Sequence, residues 1–284
     1  MKIGVIAKTH RTDVAKRLKT ALSWLSERGC ELFVDQTVVQ EFALEGVRGH
    51  PREEIPARAD VIIVFGGDGT LLSAARLVRH HRAPILGVNL GTLGFMTEIS
   101  LEELNEALER LLEGDYRISR RCTLKVQVKR NNGEVHEFQA LNDAVINKGA
   151  LARIISMDAY SGRDFIANFL SDGMIVATPT GSTAYSLSAG GPIIFPTESL
   201  IALTPICPHT LTNRPLIIPA DNEVRVVLRS GDDVMVTVDG QVGTEMLEGD
   251  TLVCTRSEHP IELIQPGHKT FFDILREKLK WGER

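Results

Sequence analysis

A glycine-rich turn is the first segment of this chain that could do chemistry. Residues 66–70 read Gly-Gly-Asp-Gly-Thr and lie between an apolar strand, predicted at 60–65, and a helix-like run at 71–78. Glycines permit positive φ angles and let backbone amides face an oxyanion, so the turn has the geometry of a phosphate site. The alternative is a tight turn that needs glycine for steric reasons alone.

Asp68 lies inside this turn, where its carboxylate would repel a phosphate group. It should therefore have a function of its own, either accepting the proton of a hydroxyl group or holding a metal ion that bridges phosphate oxygens. The chain lacks GxxxxGK[ST], GxGxxG and the HRD and DFG motifs, which excludes P-loop proteins, dinucleotide-binding proteins of that signature and protein kinases. Its eight histidines are scattered, and no metal site is assigned to them.

Two further segments carry polar groups suited to a nucleotide. Residues 172–192 combine a strand, a turn rich in hydroxyls and glycines, and the start of a short helix. A Ser/Thr-rich loop with a helix cap is the structural alternative. Asn142 and Asp143 place an amide beside a carboxylate, a pair suited to ribose hydroxyls, although Asn-Asp is also a common turn.

Composition limits the class of protein. Hydrophobic residues make up 43% and charged residues 24% of the 284 residues, as in an ordinary globular protein. The formal net charge of -5 argues against nucleic acid as a partner, because binding to a phosphate backbone needs a basic face. The four cysteines form no CxxC pair, the N-terminal apolar run is too short for a signal peptide, and no apolar stretch approaches transmembrane length. We therefore expect a cytoplasmic protein with free thiols that does not act at a membrane.

The elements that position these groups form two domains. Strand and helix patterns alternate over residues 1–115, which predicts an α/β domain with a largely parallel sheet that carries the GGDGT turn. Residues 116–269 are predicted to form a β-rich domain. Its candidate strands include 153–160, 174–177, 224–228, 234–238, 251–255 and 261–264. A terminal helix within 270–284 is predicted to pack back on the first domain.

Taken together, these segments resemble the NAD kinase family. The matching residues are the GGDGT turn, Asn142-Asp143, the block at 178–191 that begins Thr-Pro-Thr-Gly-Ser-Thr-Ala-Tyr, and Asp239-Gly-Gln241. Their order and spacing cover nearly the whole chain. The first motif is shared with diacylglycerol, sphingosine and phosphofructokinases, whereas the block at 178–191 is highly diagnostic.

The resemblance implies a Rossmann-like N-terminal domain and a β-sandwich-like C-terminal domain, with NAD bound in the cleft between them. By the same resemblance, Asp68 is the general base or orienting carboxylate for the ribose 2′-hydroxyl, and Asn142 and Asp143 bind ribose hydroxyls. The residues that the resemblance assigns to the dinucleotide are Asp68, Gly69, Asn142, Asp143, Arg153, Leu170, Asp172, Thr183, Ala184, Tyr185, Ser186, Leu187, Ser188 and Gln241. Some of them are expected to serve a neighbouring subunit, since the family is usually a homodimer or homotetramer.

The implied reaction is attack of the 2′-hydroxyl on the γ-phosphorus of ATP or on another polyphosphate, with Mg²⁺ as the cofactor and NADP as the product. Two residues depart from the family pattern: Asp143 stands where glutamate is usual, and Leu170 where many bacterial members have arginine. The alternative functions are a lipid kinase of the diacylglycerol or sphingosine type and a non-catalytic dinucleotide sensor.

Overall fold

The computed structural model describes residues 1–9, 12–79, 81–150, 152–265, 267 and 269–282. Contacts divide the chain into two units, one made of Met1–Arg120 with Ile261–Arg284 and the other of Arg121–Pro260. The predicted fold class is confirmed: the first unit is Rossmann-like α/β and the second is β-rich. Among the described residues, no helix combines the length and the apolarity that crossing a membrane requires.

The first unit contains one seven-stranded sheet with the order β3-β2-β1-β4-β5-β19-β6. Its strands are β1 Lys2–Ala7, β2 Glu31–Asp35, β3 Gly49–His50, β4 Val61–Gly66, β5 Ile85–Asn89, β6 Arg117–Arg121 and β19 Ile261–Gln265. Its helices are α1 Thr12–Glu27, α2 Gln36–Glu41, α3 Ile55–Arg58, α4 Asp68–Val78, α5 Leu104–Glu113 and α7 Phe271–Leu279, with a short 3-10 helix at Arg52–Glu54. The pairs from β3 to β5 are parallel, as the alternating pattern predicted.

The strand order of this sheet reverses between β1 and β4. The chain passes from β1 outward to β2 and β3, then returns to β4 on the other side of β1 and continues to β5. Such a reversal leaves a crevice at the carboxyl ends of the two central strands, where ligands of open α/β sheets bind. The GGDGT turn spans the end of β4 and the start of α4, so the fold places it at this crevice.

The C-terminal segment differs from its predicted assignment. Strand β19 was expected in the β-rich domain, but Leu263 pairs in parallel with Ile85 of β5 in the first unit. A short apolar strand has the same pattern in either sheet, so its sequence does not indicate which sheet it joins. Helix α7, capped by Thr270 and Asp273, follows β19 in the same unit.

The second unit contains two six-stranded antiparallel sheets. One has the order β11-β10-β15-β18-β7-β8 and the other β14-β13-β12-β9-β16-β17. Their strands are β7 Leu124–Lys129, β8 Val135–Ala140, β9 Asp143–Lys148, β10 Ile155–Ser161, β11 Asp164–Ser171, β12 Gly173–Ala177, β13 Leu200–Ile206, β14 Leu216–Pro219, β15 Val224–Ser230, β16 Val234–Val238, β17 Val242–Met246 and β18 Thr251–Arg256. A 3-10 helix, Gly181–Thr183, and helix α6, Tyr185–Ser188, follow β12. One hydrophobic core contains buried residues of both sheets, for example Val126 and Ile146, because alternate residues of each strand point inward.

Candidate active site

The GGDGT turn folds tightly onto the start of α4. A Cβ at Gly66 would lie 2.4 Å from Thr70 Oγ1, so this position requires glycine. Gly67 has extended φ and ψ angles and directly precedes the helix. A Cβ there would meet nothing within 4 Å, so the backbone at Gly67 borders open space. The amides at the start of α4 therefore face a region that a ligand can enter.

A cavity of about 390 Å³ adjoins this turn. It is lined by Ala7, Lys8, Thr9, Arg52, Gly67, Gly69, Thr70 and Ser73. Arg52 is positioned by Asp35, a fully buried carboxylate whose Oδ2 accepts a hydrogen bond of 2.6 Å from Arg52 Nε. Two cationic side chains, three hydroxyl groups and a helix N-terminus at one cavity suit an anionic ligand. Lys8 and Arg52 were not predicted from the sequence, although Lys8 directly follows β1.

Asp68 lies in the first turn of α4, and its carboxylate faces the loop 94–97. Oδ1 accepts hydrogen bonds from the backbone N–H of Met96 and Thr97 and from the Thr97 hydroxyl, each at 3.1 Å. Oδ2 accepts one hydrogen bond, from the backbone N–H of Phe95 at 2.8 Å. A carboxylate oxygen can accept about two hydrogen bonds. Oδ2 can therefore accept another from a substrate hydroxyl.

The loop 94–97 is a functional segment that the sequence analysis missed. A Cβ at Gly94 would lie 2.2 Å from Asp68 Oδ1, so glycine is required for this close approach. Asn89, at the end of β5, donates a hydrogen bond from Nδ2 to Thr97 Oγ1 at 2.9 Å. The glycines and threonines that follow β5 could have indicated the loop, because segments that follow adjacent parallel strands meet at one sheet edge.

In the second unit, three of the predicted motifs meet at one edge of a sheet. Strand β9 lies between β12 and β16 and is antiparallel to both. The start of β9, where Asn142 and Asp143 lie, therefore meets the ends of β12 and β16. Thr178 follows the end of β12, and Asp239 follows the end of β16.

Hydrogen bonds connect the segment 141–143 to the turn after β12. The backbone N–H of Thr178 donates to Asn142 O at 2.8 Å, and the Thr178 hydroxyl donates to Leu141 O at 2.5 Å. The same hydroxyl oxygen accepts the N–H of Gly181 at 3.1 Å. The Asn142 side chain retains one buried atom, Oδ1, without a hydrogen-bond partner. An unpaired buried acceptor is costly, so this oxygen is a candidate to accept a hydrogen bond from a ligand.

The residues predicted at 183–188 include exposed, half-buried and buried positions. Tyr185 is 42% exposed and Ser188 is also exposed, so both side chains can contact a ligand. Ser186 is fully buried, and its hydroxyl lies 3.0 Å from that of Thr204. Ser186 therefore packs α6 against β13, whereas Tyr185 and Ser188 face outward.

Asp239 and Gln241 lie on the hairpin turn between β16 and β17. The Asp239 carboxylate accepts hydrogen bonds from the backbone N–H groups of Leu141, Asn142 and Asp143, and Gln241 is exposed. The motif Asp239-Gly-Gln241 thus lies beside Asn142-Asp143. A specific contact of Asp239 was not predicted.

Asp143 is a buried carboxyl group in this cluster. Burial, and to a lesser extent the charge of Asp239, raises the pKa of Asp143 to about 7. A carboxyl group in this range carries a proton in part of the molecules at neutral pH. It can therefore donate as well as accept a hydrogen bond with a ribose hydroxyl.

The raised pKa of Asp143 predicts a pH dependence of stability. The unfolded chain releases this proton near pH 4, whereas the folded chain releases it at about 7. The stabilising effect of the neutral form is thus complete below about pH 4 and is lost as the pH rises to about 7. Asp143→Asn stays neutral, so its free energy of unfolding relative to the wild type should increase across this range, as measured by urea unfolding. Asp158→Asn is the control, because a hydrogen bond from Asn168 lowers the Asp158 pKa and the trend should be absent or reversed.

Three predicted residues lie elsewhere. Asp172 directly precedes β12, whereas Thr178 follows its other end, so about 20 Å of strand separates them. Leu170 lies on β11 and is 45% exposed, and Arg153 is exposed just before β10. Within one chain, the structure does not bring Arg153, Leu170 and Asp172 to the cluster around Asn142. Among the described residues, no group of three or more His, Cys, Asp or Glu side chains could hold a metal ion.

The first unit is an α/β unit with the GGDGT turn at its crevice, and the second is a β-rich unit with a polar cluster. This combination is typical of a phosphotransferase that uses a nucleotide. Family models of the ATP-NAD kinase N-terminal domain and C-terminal domain match residues 3–116 and 141–266. The chain belongs to the NAD kinase family, whose members are kinases that phosphorylate NAD. The resemblance seen in the motifs is thereby confirmed.

Individual relatives match over nearly their whole length. The chain is 50% identical to the NAD kinase of Solibacter usitatus over 282 residues, covering 99% of this chain and 98% of the relative. It is 47% identical to the NAD kinase of Geotalea daltonii over 284 residues, covering 100% of this chain and 99% of the relative.

Solved structures also match. A yeast NADH kinase complexed with NADH superposes with a TM-score of 0.90 at 26% identity, over 100% of this chain and 89% of that one. An NAD kinase from Archaeoglobus fulgidus in complex with ATP superposes with a TM-score of 0.79 at 25% identity, over 99% of this chain and 100% of that one. These matches do not favour the lipid kinase or the sensor.

Proposed function

We propose that this chain transfers the γ-phosphoryl group of ATP, or a phosphoryl group of polyphosphate, to the 2′-hydroxyl of the adenosine ribose of NAD. The observation that carries the proposal is the cluster of three motif segments around Asn142, with its buried and unpartnered Oδ1. A ribose hydroxyl is a donor that would satisfy this oxygen. Asn142 and Asp143 then bind the ribose, and Thr183, Ala184, Tyr185 and Ser188 bind the adenosine part.

Asp68 orients the nucleophile in this proposal. Its Oδ2 accepts a hydrogen bond from the 2′-hydroxyl and takes the proton as the hydroxyl oxygen attacks phosphorus. The bond from that phosphorus to its bridging oxygen breaks, and ADP or the shortened polyphosphate leaves. The four donors on the carboxylate, from residues 95–97, keep it in one orientation. Phosphoryl transfer needs little covalent chemistry from the protein, so positioning and electrostatics supply most of the rate enhancement.

The cavity beside the GGDGT turn is where we place the phosphates of the donor. Lys8 and Arg52 supply positive charge, and the N-terminus of α4 supplies backbone amides. Mg²⁺ in proteins is usually bound by one or two carboxylates together with waters and substrate phosphates. A site of that kind does not require a cluster of three or more acidic side chains, and the described part of the chain contains none. Mg²⁺ bound with ATP would neutralise phosphate charge, and no residue of this chain is assigned to it as a ligand.

We also propose that the enzyme is a homodimer or homotetramer in the cytoplasm. Arg153, Leu170, Asp172 and their surroundings lie away from the cluster around Asn142 within one chain, so they would line the dinucleotide site of a neighbouring subunit together with its Gln241. All four cysteines are free, as expected in a reducing compartment.

Leu170 allows a prediction about specificity. NAD and NADH differ by one positive charge and by the planarity of the nicotinamide ring, and leucine senses charge poorly. We expect that the enzyme prefers NAD but phosphorylates NADH at a detectable rate. Members of the family that are strict for NAD over NADH often carry arginine at this position, so Leu170→Arg should raise the preference for NAD, by up to about fivefold.

The measurement for Leu170 is kcat/KM for NAD and for NADH in the wild type and in Leu170→Arg. Leu170→Met serves as the control that keeps an apolar side chain, and its ratio should equal that of the wild type. An undetectable wild-type rate with NADH, or an unchanged ratio in the arginine variant, would refute the prediction.

The experiment for the proposed function is incubation of the protein with NAD, ATP and Mg²⁺, followed by assay of NADP. We expect NADP to accumulate, and to do so faster than any phosphorylated lipid when diacylglycerol or sphingosine is offered instead. NAD binding without turnover would indicate a sensor. Phosphorylation of the lipids alone would indicate a lipid kinase.

A further inference from the structure

The hairpin turn between β16 and β17 makes hydrogen bonds with a distant segment of the chain. Asp239 and Gly240 have φ angles of +52° and +62°, as in the type I′ turn that Asp-Gly favours. A turn aspartate usually points to solvent or bonds to the backbone two residues on. Asp239 is only 8% exposed, and its carboxylate contacts a segment almost one hundred residues earlier in the chain.

The Asp239 carboxylate receives three consecutive backbone amides. Oδ2 accepts the N–H of Leu141 at 3.0 Å, and Oδ1 accepts those of Asn142 at 2.7 Å and Asp143 at 3.1 Å. In the opposite direction, the Asp239 N–H donates to Asp143 O at 2.9 Å. Four hydrogen bonds therefore fix the segment 141–143 to this turn.

We propose that Asp239 is a positioning residue for NAD, whose carboxylate fixes the backbone of residues 141–143 and thereby places the Asn142 and Asp143 side chains against the ribose. The proposal rests on the proposed function and assigns a role to a residue that does not itself contact the nucleotide.

The geometry around Asn142 supports this role. The backbone of Asn142 is bonded on two sides, through its N–H to Asp239 and through its carbonyl to the N–H of Thr178. These two bonds set the direction of the side chain, whose Oδ1 is buried and unpartnered. Without the Asp239 contacts, one side of the segment 141–143 would no longer be held, and the orientation of Asn142 Oδ1 would no longer be fixed. The charge of Asp239 also contributes to the raised pKa of Asp143, so it acts on both ribose-binding groups.

The test is Asp239→Asn, because Asn-Gly is also a favoured type I′ turn and the hairpin is retained. The asparagine side chain keeps one acceptor oxygen but directs an NH₂ group at a backbone N–H. We expect the Kd for NAD, measured by calorimetry, to rise at least about tenfold, because hydrogen bonds to a charged group are lost. The KM for NAD should rise in proportion, while kcat and the KM for ATP stay within about twofold of the wild type, since no contact to Asp68 changes.

Asp250→Asn is the matched control. Asp250 is also a buried aspartate of the second unit that accepts backbone N–H groups, from Asn131 and Leu247, and it pairs with Arg130. Its substitution should lower the melting temperature without changing the Kd for NAD. An unchanged Kd in Asp239→Asn, or an equal rise in both variants, would overturn the proposal.

Two other outcomes, misfolding of Asp239→Asn and an inactive wild type, can be told apart from failure of the proposal. If Asp239→Asn does not fold, Asp239→Glu keeps the charge but displaces the carboxylate by one methylene, and wild-type affinity for NAD in that variant would overturn the proposal. If the wild type itself forms no NADP, the proposed function fails, whereas the calorimetric comparison of the two variants still tests the role of Asp239 in NAD binding.

Discussion

Replacing Asp68 with asparagine is expected to lower kcat for NADP formation by about 10²–10⁴-fold, the range that general-base catalysis contributes. Asparagine has nearly the same shape but cannot take a proton from the 2′-hydroxyl. The Kd for NAD should change by less than about tenfold, because the lost interaction is made mainly in the transition state. Steady-state kinetics with NAD and ATP, together with calorimetric NAD binding, measure both quantities.

The control for Asp68 must separate its action on substrate from its contacts with the loop 94–97. Thr97→Val removes one donor to Oδ1 and leaves the carboxylate in place. We expect this variant to lose less than about tenfold in kcat, the effect of one hydrogen bond. Near-normal turnover in Asp68→Asn, or an equal loss in Thr97→Val, would show that Asp68 acts by ordering the loop.

Gly181→Ala is expected to disrupt the NAD site. A Cβ at Gly181 would lie 2.1 Å from Asn142 O and 2.5 Å from its carbonyl carbon, both backbone atoms of the segment 141–143. The backbone of Asn142 must then shift and lose its hydrogen bond with the Thr178 N–H. We expect the KM for NAD to rise more than about tenfold and the protein to lose about 1–3 kcal/mol of stability, as for other overpacked sites.

Gly4→Ala is the control for this loss of stability. A Cβ at Gly4, in the buried strand β1, would lie 2.5 Å from Ile55 Cγ2. It should destabilise the protein to a similar extent without changing the KM for NAD. Wild-type KM in Gly181→Ala would contradict the placement of NAD at Asn142.

Much of the fold could be predicted because its signals are local. The apolar run of β4, the glycines after it and the helical spacing of α4 indicate a β-turn-α unit, and alternation at Leu124, Val126 and Val128 indicates an antiparallel strand with one buried face. The return of β19 to the first sheet could not be predicted, since pairing of Leu263 with Ile85 depends on long-range packing.

The site was predictable where its residues are part of a diagnostic motif. The sequence did not indicate that Gly94 must be glycine to approach Asp68, that Asp35 positions Arg52, or that Asp239 binds three amides of the segment 141–143. These contacts join residues that are far apart in sequence. Each involves an aspartate carboxylate, and an aspartate in a sequence is equally compatible with an exposed position on the surface. For Asp239, it is the strand order that reveals the contact, because it brings the start of β9 to the end of β16.

The measurement that tests the account most directly is the position of the transferred phosphate. The protein should be incubated with NAD and ATP labelled at the γ-phosphoryl group, and the product analysed by phosphorus NMR and by its reaction with an NADP-specific dehydrogenase. We expect one labelled phosphate per product molecule, on the 2′-oxygen of the adenosine ribose. A label on the 3′-oxygen or on the nicotinamide ribose, or no transfer to NAD at all, would contradict the assignment of Asn142, Asp143 and Asp68 to this ribose and its 2′-hydroxyl.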